Sequence, residues 1–251
     1  MAYDLEEQEQ IATLKAWWER YGNAISTIVL AAAVAIAGYN GWQWFQKNRA
    51  AEAAGVYEEL ERAVASRNIA HTRDLSGIIL DKFGSTAYAQ MAALLSAKVN
   101  LEGGDAKTAK AQLQWTIDHA KDGEYRALGR LRLAGILLDE GGYAEATKLV
   151  AANVAADLSA PFQAAFGDRR GDIDVAENRL DDAKREYRAA LAVLNGRAEV
   201  RGYARVVELK LEGLVGGTGA VPVASNAAPA AGEAAKASTT TTGSQTGSEK
   251  K

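Results

Sequence analysis

Cysteine is absent from the 251-residue chain, and it contains only three prolines and two histidines. The lack of cysteine excludes disulfides, thiol nucleophiles and thiolate-bound metals, and it leaves the redox compartment open. The two histidines, His71 and His119, stand far apart in the sequence, without a second metal ligand at a recognised spacing. A net charge of −3 and a hydrophobic content of 48% describe a globular chain, with no electrostatic reason to expect nucleic acid as its main partner.

Catalytic motifs are also missing from the sequence. It contains no Gly-x-Ser-x-Gly elbow, no complete phosphate loop and no complete calcium loop. Asp168 and Asp172 stand one helical turn apart, and we interpret them as part of a solvated helix face. An unrecognised enzyme would need carboxylates that converge in a cleft with shifted proton affinities. We therefore predict a protein that is not an enzyme and has no cofactor or metal site.

Charged residues are absent between Arg20 and Lys47, and the interior of this interval is apolar. A helix over residues 24–45 would be about 33 Å long, which matches the hydrocarbon core of a membrane. Aromatic side chains that favour the headgroup region flank it on both sides: Trp17, Trp18, Tyr21, Trp42, Trp44 and Phe45. The pattern predicts one transmembrane helix.

Two other interpretations of this interval are a cleaved signal peptide and a buried core helix. A signal peptide would begin with a basic region, whereas this chain begins with Asp4, Glu6, Glu7 and Glu9. Lysines and arginines are balanced across the span, so charge alone does not set its orientation. A short leading segment and a long following domain favour a cytoplasmic N-terminus and an exported C-terminal domain.

The rest of the chain divides into an Ala- and Leu-rich region and a low-complexity tail. Residues 216–251 contain no Leu, Ile or aromatic residue and are rich in Ala, Gly, Ser and Thr, so we predict disorder there. The predicted organisation is a short N-terminal segment at 1–23, the span at 24–45, a helical domain at 46–215 and the tail at 216–251.

A 37-residue repeat organises the helical domain. Ala97, Ala134 and Gly171 are followed by an alanine twelve residues later and a bulkier residue sixteen residues later. These partners are Ala109, Ala146 and Ala183, then Leu113, Val150 and Tyr187. Turn residues recur at one offset as well: Gly104, Gly141 and Asn178. Small residues at such positions allow two helices to approach closely, and the pattern predicts helical hairpins that must stack to bury their apolar faces.

This offset pattern resembles the tetratricopeptide repeat, and residues 171–191 are most similar to it. The period is longer than usual, the leading Trp is absent, and Asn100, Leu137 and Asp174 stand where a Tyr is usual. Residues 50–82 look like a helix pair without the signature, and residues 197–214 like one closing helix. The predicted fold class is all-α, with an N-terminal transmembrane helix and an α-solenoid of tetratricopeptide-like hairpins; a non-repeat helical bundle is the alternative.

In tetratricopeptide repeats the first helices of the hairpins line a groove for peptides. The resemblance transfers these groove positions to three helices of this chain, unless the leucines among them are core residues between helices. The predicted groove residues are Met91, Leu94, Lys98, Leu101 and Glu102; Leu128, Leu131, Gly135, Leu138 and Asp139; and Ala165, Asp168, Asp172, Val175 and Ala176.

The order of the segments also resembles a known family. The acidic start MAYDLEEQEQ, the run LKAWWERYGN before the span, GWQW at its end and STAYAQMAAL before the repeats are similar to the YfgM family. The likeness covers about residues 1–214, and the low-complexity tail departs from it.

The YfgM resemblance implies a bacterial inner-membrane protein with a cytoplasmic N-terminus and a periplasmic tetratricopeptide-like domain. It implies an ancillary subunit of the SecYEG translocon that works with a membrane-anchored, prolyl-isomerase-like periplasmic chaperone and assists exported proteins. Two alternatives stay open at this point: a cytoplasmic-facing scaffold of another membrane complex and an unrecognised enzyme. The sequence does not distinguish a groove for clients from a groove for a fixed partner.

Overall fold

A computed structural model describes residues 3–215, with side chains at residue 15 and from residue 17 onward; the predicted disordered tail at 216–251 lies outside the described residues. The described residues form helices and turns without any strand, which confirms the all-α prediction. The chain divides into two compact units, of which the first ends at Ala54 and the second begins at Gly55.

Helix α1 (Tyr3–Ala65) contains the predicted span. Within Trp17–Ala65, an 18-residue window reaches a mean hydropathy of 1.6. By length and composition, this part of the helix is able to cross a membrane. Its apolar side chains have no protein neighbours to cover them, since Leu30 is 66% exposed and Val34 65% exposed. A helix that is apolar all round and uncovered by protein is suited to a lipid environment.

Up to residue 215, where the described residues end, the second unit contains the end of α1, nine further helices and a short 3₁₀ turn at Ala198–Val200. The helices are α2 (Ile69–Phe83), α3 (Ala87–Glu102), α4 (Ala106–His119), α5 (Gly123–Asp139), α6 (Tyr143–Leu149), α7 (Ala152–Ala155), α8 (Ala160–Ala176), α9 (Leu180–Leu194) and α10 (Arg201–Val215). Helix α3 pairs with α4, α5 with α6, and α8 with α9, so the three predicted hairpins are present. Helix α10 packs against α9 and closes the array.

The turns of the hairpins share one backbone geometry, which appears four times within the described residues. Arg67, Gly104, Gly141 and Asn178 have φ values of 55°, 84°, 79° and 60° and are spaced by 37 residues. At each turn the next N–H bonds to a carbonyl five residues back, as Asp105 does to Asn100 at 2.8 Å and Arg179 to Asp174 at 2.7 Å. This is the Schellman ending of a helix, which requires a left-handed residue.

The first of these four turns extends the repeat upstream of the three units that the sequence indicates. Arg67 stands where the other units have Gly or Asn, and Leu60, Thr72 and Ser76 occupy the places of Ala97, Ala109 and Leu113. All three are almost completely buried, as the register requires. Residues 55–82, which are the end of α1 and α2, therefore follow the register of a fourth repeat unit.

The smallest of the small residues in the three units goes with the largest partner sixteen residues later. Ala97 precedes Leu113 and Ala134 precedes Val150, whereas Gly171 precedes the much larger Tyr187. A Cβ atom on Gly171 would lie 2.5 Å from Cε1 of Tyr187, a distance that atoms do not tolerate. Glycine is therefore required in the third unit because the ring of Tyr187 fills the space between α8 and α9.

Candidate protein-binding surface

The first helices of the hairpins, α3, α5 and α8, carry the predicted groove residues. Lys98 and Glu102 have exposed side chains, 62% and 65% accessible, and Asp139 is exposed at the end of α5. Met91, Leu101 and Val175 are half-buried and keep part of their apolar surface accessible. These six residues form the accessible A-helix face, a mixed surface of acidic, basic and apolar groups.

The structure places the predicted groove leucines in the core between helices, which is the alternative that the sequence left open. Leu94, Leu128, Leu131 and Leu138 are 4%, 1%, 2% and 6% exposed and belong to the core that joins α3, α5 and α8. Ala165 and Gly135 are buried as well. Because one hairpin cannot cover its own apolar face, these side chains are used in packing between neighbouring hairpins and are not available to a ligand.

The structure also corrects the interpretation of Asp168 and Asp172 as solvated or groove-lining residues. Asp168 is 7% exposed and Asp172 1% exposed. The ammonium of Lys210, on α10, donates to Asp168 at 2.8 Å and to both oxygens of Asp172 at 2.7 and 2.9 Å. Helix α10 therefore covers the two carboxylates, and they hold the closing helix on the third hairpin.

Two tyrosines complete this ionic closure, which we define as Asp168, Asp172, Tyr187, Tyr203 and Lys210. The hydroxyl of Tyr187 donates to Asp172 at 2.8 Å, and that of Tyr203 donates to Asp168 at 3.0 Å. Every carboxylate oxygen of the pair therefore accepts at least one hydrogen bond, as buried charges require.

Arg169 lies beside the ionic closure and is also buried, at 6% exposure. Its Nη1 atom is 3.5 Å from Asp172, and Nε and Nη1 have no hydrogen-bond partner among the described residues. With Asp168, Asp172 and Lys210 it makes a cluster in which two negative and two positive charges balance. The guanidinium thus adds electrostatic compensation without a hydrogen bond of good geometry.

Burial controls the proton affinities in the closure. Desolvation, followed by the charge of Asp168, raises the pKa of Asp172, although Lys210 and Arg169 oppose the shift. Desolvation and the adjacent carboxylates raise the pKa of the Tyr187 and Tyr203 hydroxyls strongly, so both remain protonated donors. With both hydroxyls bonded to the carboxylates, the arrangement suits a fixed structural contact.

A second polar cluster, the neutral closure, lies at the other end of the array, between α2, α3 and α4. The hydroxyls of Ser76 and Ser96 share a hydrogen bond of 3.0 Å, and Ser96 also accepts from Gln112 at 2.8 Å and Asn100 at 3.2 Å. Arg73 bonds to Asn100 at 3.1 Å at the edge of the cluster. Asn100, which replaces the usual Tyr of the repeat, is therefore the centre of a buried network.

Sequence patterns did not identify Lys210, Tyr203 or Arg169 as members of this cluster. One signal was present: Asp168 stands at a position where the two preceding units have Leu94 and Leu131. A carboxylate at a repeated core position predicts a buried cation from another element, and Lys210 lies on the strongly amphipathic α10. Among the residues that the structure describes, no cluster of His, Asp and Glu could hold a metal.

Comparison with known proteins gives a family match over most of the chain. Residues 15–216 match the family described as a tetratricopeptide repeat-like domain. A protein of Haemophilus influenzae named ancillary SecYEG translocon subunit is 30% identical over 193 residues, covering 76% of this chain and 91% of the relative. Proteins of Neisseria gonorrhoeae and Aggregatibacter actinomycetemcomitans with the same name are 25% and 27% identical and are covered to 90% and 91%. No solved structure matches the chain.

The anchor helix, the repeats and these relatives are mutually consistent. A tetratricopeptide-like array follows an apolar helix able to cross a membrane, so the protein is membrane-anchored with a single span. The family match at residues 15–216 includes both the anchor helix and the repeats. The chain belongs to the YfgM family, whose matched members are named ancillary SecYEG translocon subunits.

Proposed function

We propose that the protein is an ancillary subunit of the SecYEG translocon that binds other proteins through its repeat domain. The observation that carries this proposal is the match to relatives of that name over about nine-tenths of their length. Stacked helical hairpins are a protein-interaction architecture, and the described residues contain no arrangement that suggests catalysis. The protein is therefore proposed to act by binding and not as an enzyme.

The proposed topology has residues 1–23 in the bacterial cytoplasm, the span at 24–45 in the inner membrane and residues 46–215 in the periplasm, followed by the tail at 216–251. The short leading segment and the long following domain support this direction of insertion. A phosphatase reporter that is active only in the periplasm, fused after Lys251, should be active. Activity of a cytoplasm-specific reporter instead would favour a cytoplasmic-facing scaffold of another membrane complex.

The accessible A-helix face is the proposed contact for the partner. It contains Lys98, Leu101, Glu102, Asp139 and Val175 with Met91 at its edge, while the buried leucines beneath hold the face rigid. The partner is proposed to be a membrane-anchored, prolyl-isomerase-like chaperone, with hand-over of exported clients as the purpose of the contact. Tethering by the anchor would raise the effective concentration of this face near the channel.

The test is mass spectrometry of proteins that co-purify with the tagged full-length chain in a mild detergent. The variant Lys98→Glu with Asp139→Lys inverts two exposed charges on the A-helix face, and Lys107→Glu with Glu145→Lys makes the same exchange on exposed second-helix positions. We expect SecYEG and the chaperone with the wild type and the control, and SecYEG alone with the A-helix variant.

Each other outcome of this test has a definite meaning. Absence of SecYEG from the wild-type sample would contradict the translocon proposal. Equal recovery of the chaperone with both variants would move the contact away from the A-helix face. Recovery of many exported proteins, lost with the A-helix variant, would indicate that the face binds clients directly.

A further inference from the structure

An open cleft lies between α9 and α10, close to the left-handed turn at Gly196. It encloses about 650 Å³, a volume typical of ligand-binding clefts. Four arginines line it, Arg188 from α9, Arg197 from the connection, and Arg201 and Arg205 from α10, with Glu208 as the one acidic residue in the lining. This basic cleft is strongly positive although the whole chain has a net charge of −3.

Two of the four arginines are free to bind a ligand. Arg205 pairs with Glu208 and Glu212, and Nε of Arg197 donates to the carbonyl of Val193. Arg188 and Arg201 are exposed, and their guanidinium groups make no hydrogen bond or ion pair with the described residues. Like charges held close together without counter-charges favour an anionic partner.

The floor of the basic cleft is apolar. Leu191, Leu194 and Ala204 line it, and Leu191 and Ala204 are only half-buried in the adjoining core. Arginine forks bind carboxylates bidentately, while half-buried leucine and alanine surface accepts apolar side chains. A ligand that fits both features has carboxylates along one edge and apolar side chains along the other.

We propose that the basic cleft binds an acidic amphipathic segment of a partner protein, at a site separate from the A-helix face. The carboxylates of the segment would pair with Arg188 and Arg201, and its apolar side chains would rest on Leu191 and Ala204. Two helices wall the cleft, and such a concave site suits side chains that project from a peptide better than the flat surface of a membrane. The A-helix proposal stands whether or not this one does.

Charge argues against the chain's own tail as the occupant. Residues 216–251 contain two acidic residues, Glu233 and Glu249, against three lysines at positions 236, 250 and 251. Their balance is slightly basic and they contain no leucine or isoleucine, so they match neither the arginines nor the apolar floor. The tail is therefore not the proposed occupant of the basic cleft.

The experiment measures binding of a labelled peptide to the full-length protein in a neutral detergent by fluorescence anisotropy. The probe is an amphipathic peptide of about four helical turns, made of leucine and glutamate. We expect the wild type to bind it and Arg188→Glu with Arg201→Glu to bind it about tenfold more weakly or worse, since two charge-assisted contacts are inverted. Binding should also weaken as salt is added.

Matched controls separate this site from general attraction. Lys107→Glu with Lys121→Glu changes the net charge equally at exposed positions on and beside α4 and should retain wild-type affinity. A probe with lysine in place of glutamate should not bind, and a probe with serine in place of leucine should bind at least several-fold more weakly. Equal losses in both protein variants, or equal binding of the lysine probe, would overturn the proposal.

An anionic lipid is the alternative ligand of the basic cleft, and a separate crosslinking experiment tests it. A photoreactive amino acid at Ala192, which lines the basic cleft, is placed in protein reconstituted in bilayers that contain phosphatidylglycerol. Crosslinks to the added glutamate probe support the proposal. Crosslinks to lipid, with none to the probe, would overturn it.

Discussion

At its first end the repeat domain is closed by neutral hydroxyls and amides, whereas at its last end it is closed by a lysine buried between two aspartates. Ser76, Ser96 and Asn100 form the neutral closure, and Asp168, Asp172 and Lys210 are the charged groups of the ionic closure. Between them, the joint of α5 with α8 is apolar. The same repeat geometry is thus compatible with three kinds of interface.

The difference between the two closures lies in how each group depends on its neighbours. A hydroxyl or amide that loses one partner loses one hydrogen bond, and the rest of the network remains satisfied. A buried carboxylate that loses its cation becomes an uncompensated charge in a medium that solvates it poorly. Loss of one charged group should therefore destabilise the ionic closure strongly, whereas loss of one hydrogen bond should destabilise the neutral closure only modestly.

Replacement of Lys210 by Met should give the largest effect. The substitution keeps the apolar stem but removes the ammonium from Asp168 and Asp172, so we expect the free energy of unfolding to fall by about 3 to 5 kcal/mol. Urea unfolding of the full-length chain in detergent, followed by far-ultraviolet circular dichroism, measures it. The triple variant Lys210→Met, Asp168→Asn and Asp172→Asn should recover part of the loss; no recovery would mean that packing of α10, and not charge, dominates.

The cost of Lys210→Met should also depend on pH. Burial raises the folded-state pKa of Asp172 above its unfolded value, so its stabilising contribution is present at low pH and is lost as the pH rises through the folded pKa. Lys210 opposes this shift, and its loss raises the pKa further. The loss in unfolding free energy should thus be smaller at about pH 5 than at about pH 8. A pH-independent loss would contradict the ionic account.

Replacement of Gly171 by Ala should give an intermediate effect. The new Cβ would collide with the ring of Tyr187 and displace its hydroxyl from Asp172, so we expect a loss of about 1 to 3 kcal/mol in spite of the higher helix propensity of alanine. Thermal unfolding compares this variant with Tyr187→Leu and with the double variant. The double variant, which recreates the pairing of Ala97 with Leu113, should lose less than the sum; strict additivity would rule out the collision.

Replacement of Ser96 by Ala tests the neutral closure and should give the smallest effect. Gln112 and Asn100 lose one acceptor, but Asn100 keeps the carbonyl of Ser96 at 2.9 Å, so we expect a loss of about 1 to 2 kcal/mol. This loss should not vary between acidic and neutral pH, because none of these three side chains titrates there. A loss as large as that of Lys210→Met would erase the distinction between the closures.

Much of this architecture could be predicted from the sequence because it follows from periodic patterns. The 37-residue spacing identified the three hairpins and their turn residues, and the charge-free interval located the apolar helix. The helix pair at residues 50–82 was predicted, but its place in the repeat was not recognised, because Arg67 is not a residue that signals a left-handed turn. Thr72 and Ser76 hid the core positions of its second helix, since a polar residue can be buried when its neighbours supply hydrogen bonds.

The groove residues show where transfer by position fails. Transfer by position assumed that the groove side of the third unit faces solvent. Helix α10, however, occupies the place where a further hairpin would begin, and it covers Asp168 and Asp172. Whether a residue faces solvent depends on which element follows it, and that element carries no repeat signature of its own. Exposed positions such as Lys98 and Asp139 were transferred to the surface correctly, and their role as contacts remains a proposal.

Lys210 follows Asp168 by 42 residues, so the ionic closure can form only after the chain has continued through α10. A chain that is cut short before α10 contains every hairpin of the array but lacks the cation that neutralises its last pair of aspartates. Such a fragment would leave Asp168 and Asp172 without Lys210 and would lose the apolar cover that Val207 gives to α8 and α9. The last pair of aspartates is therefore neutralised only in a chain that includes α10.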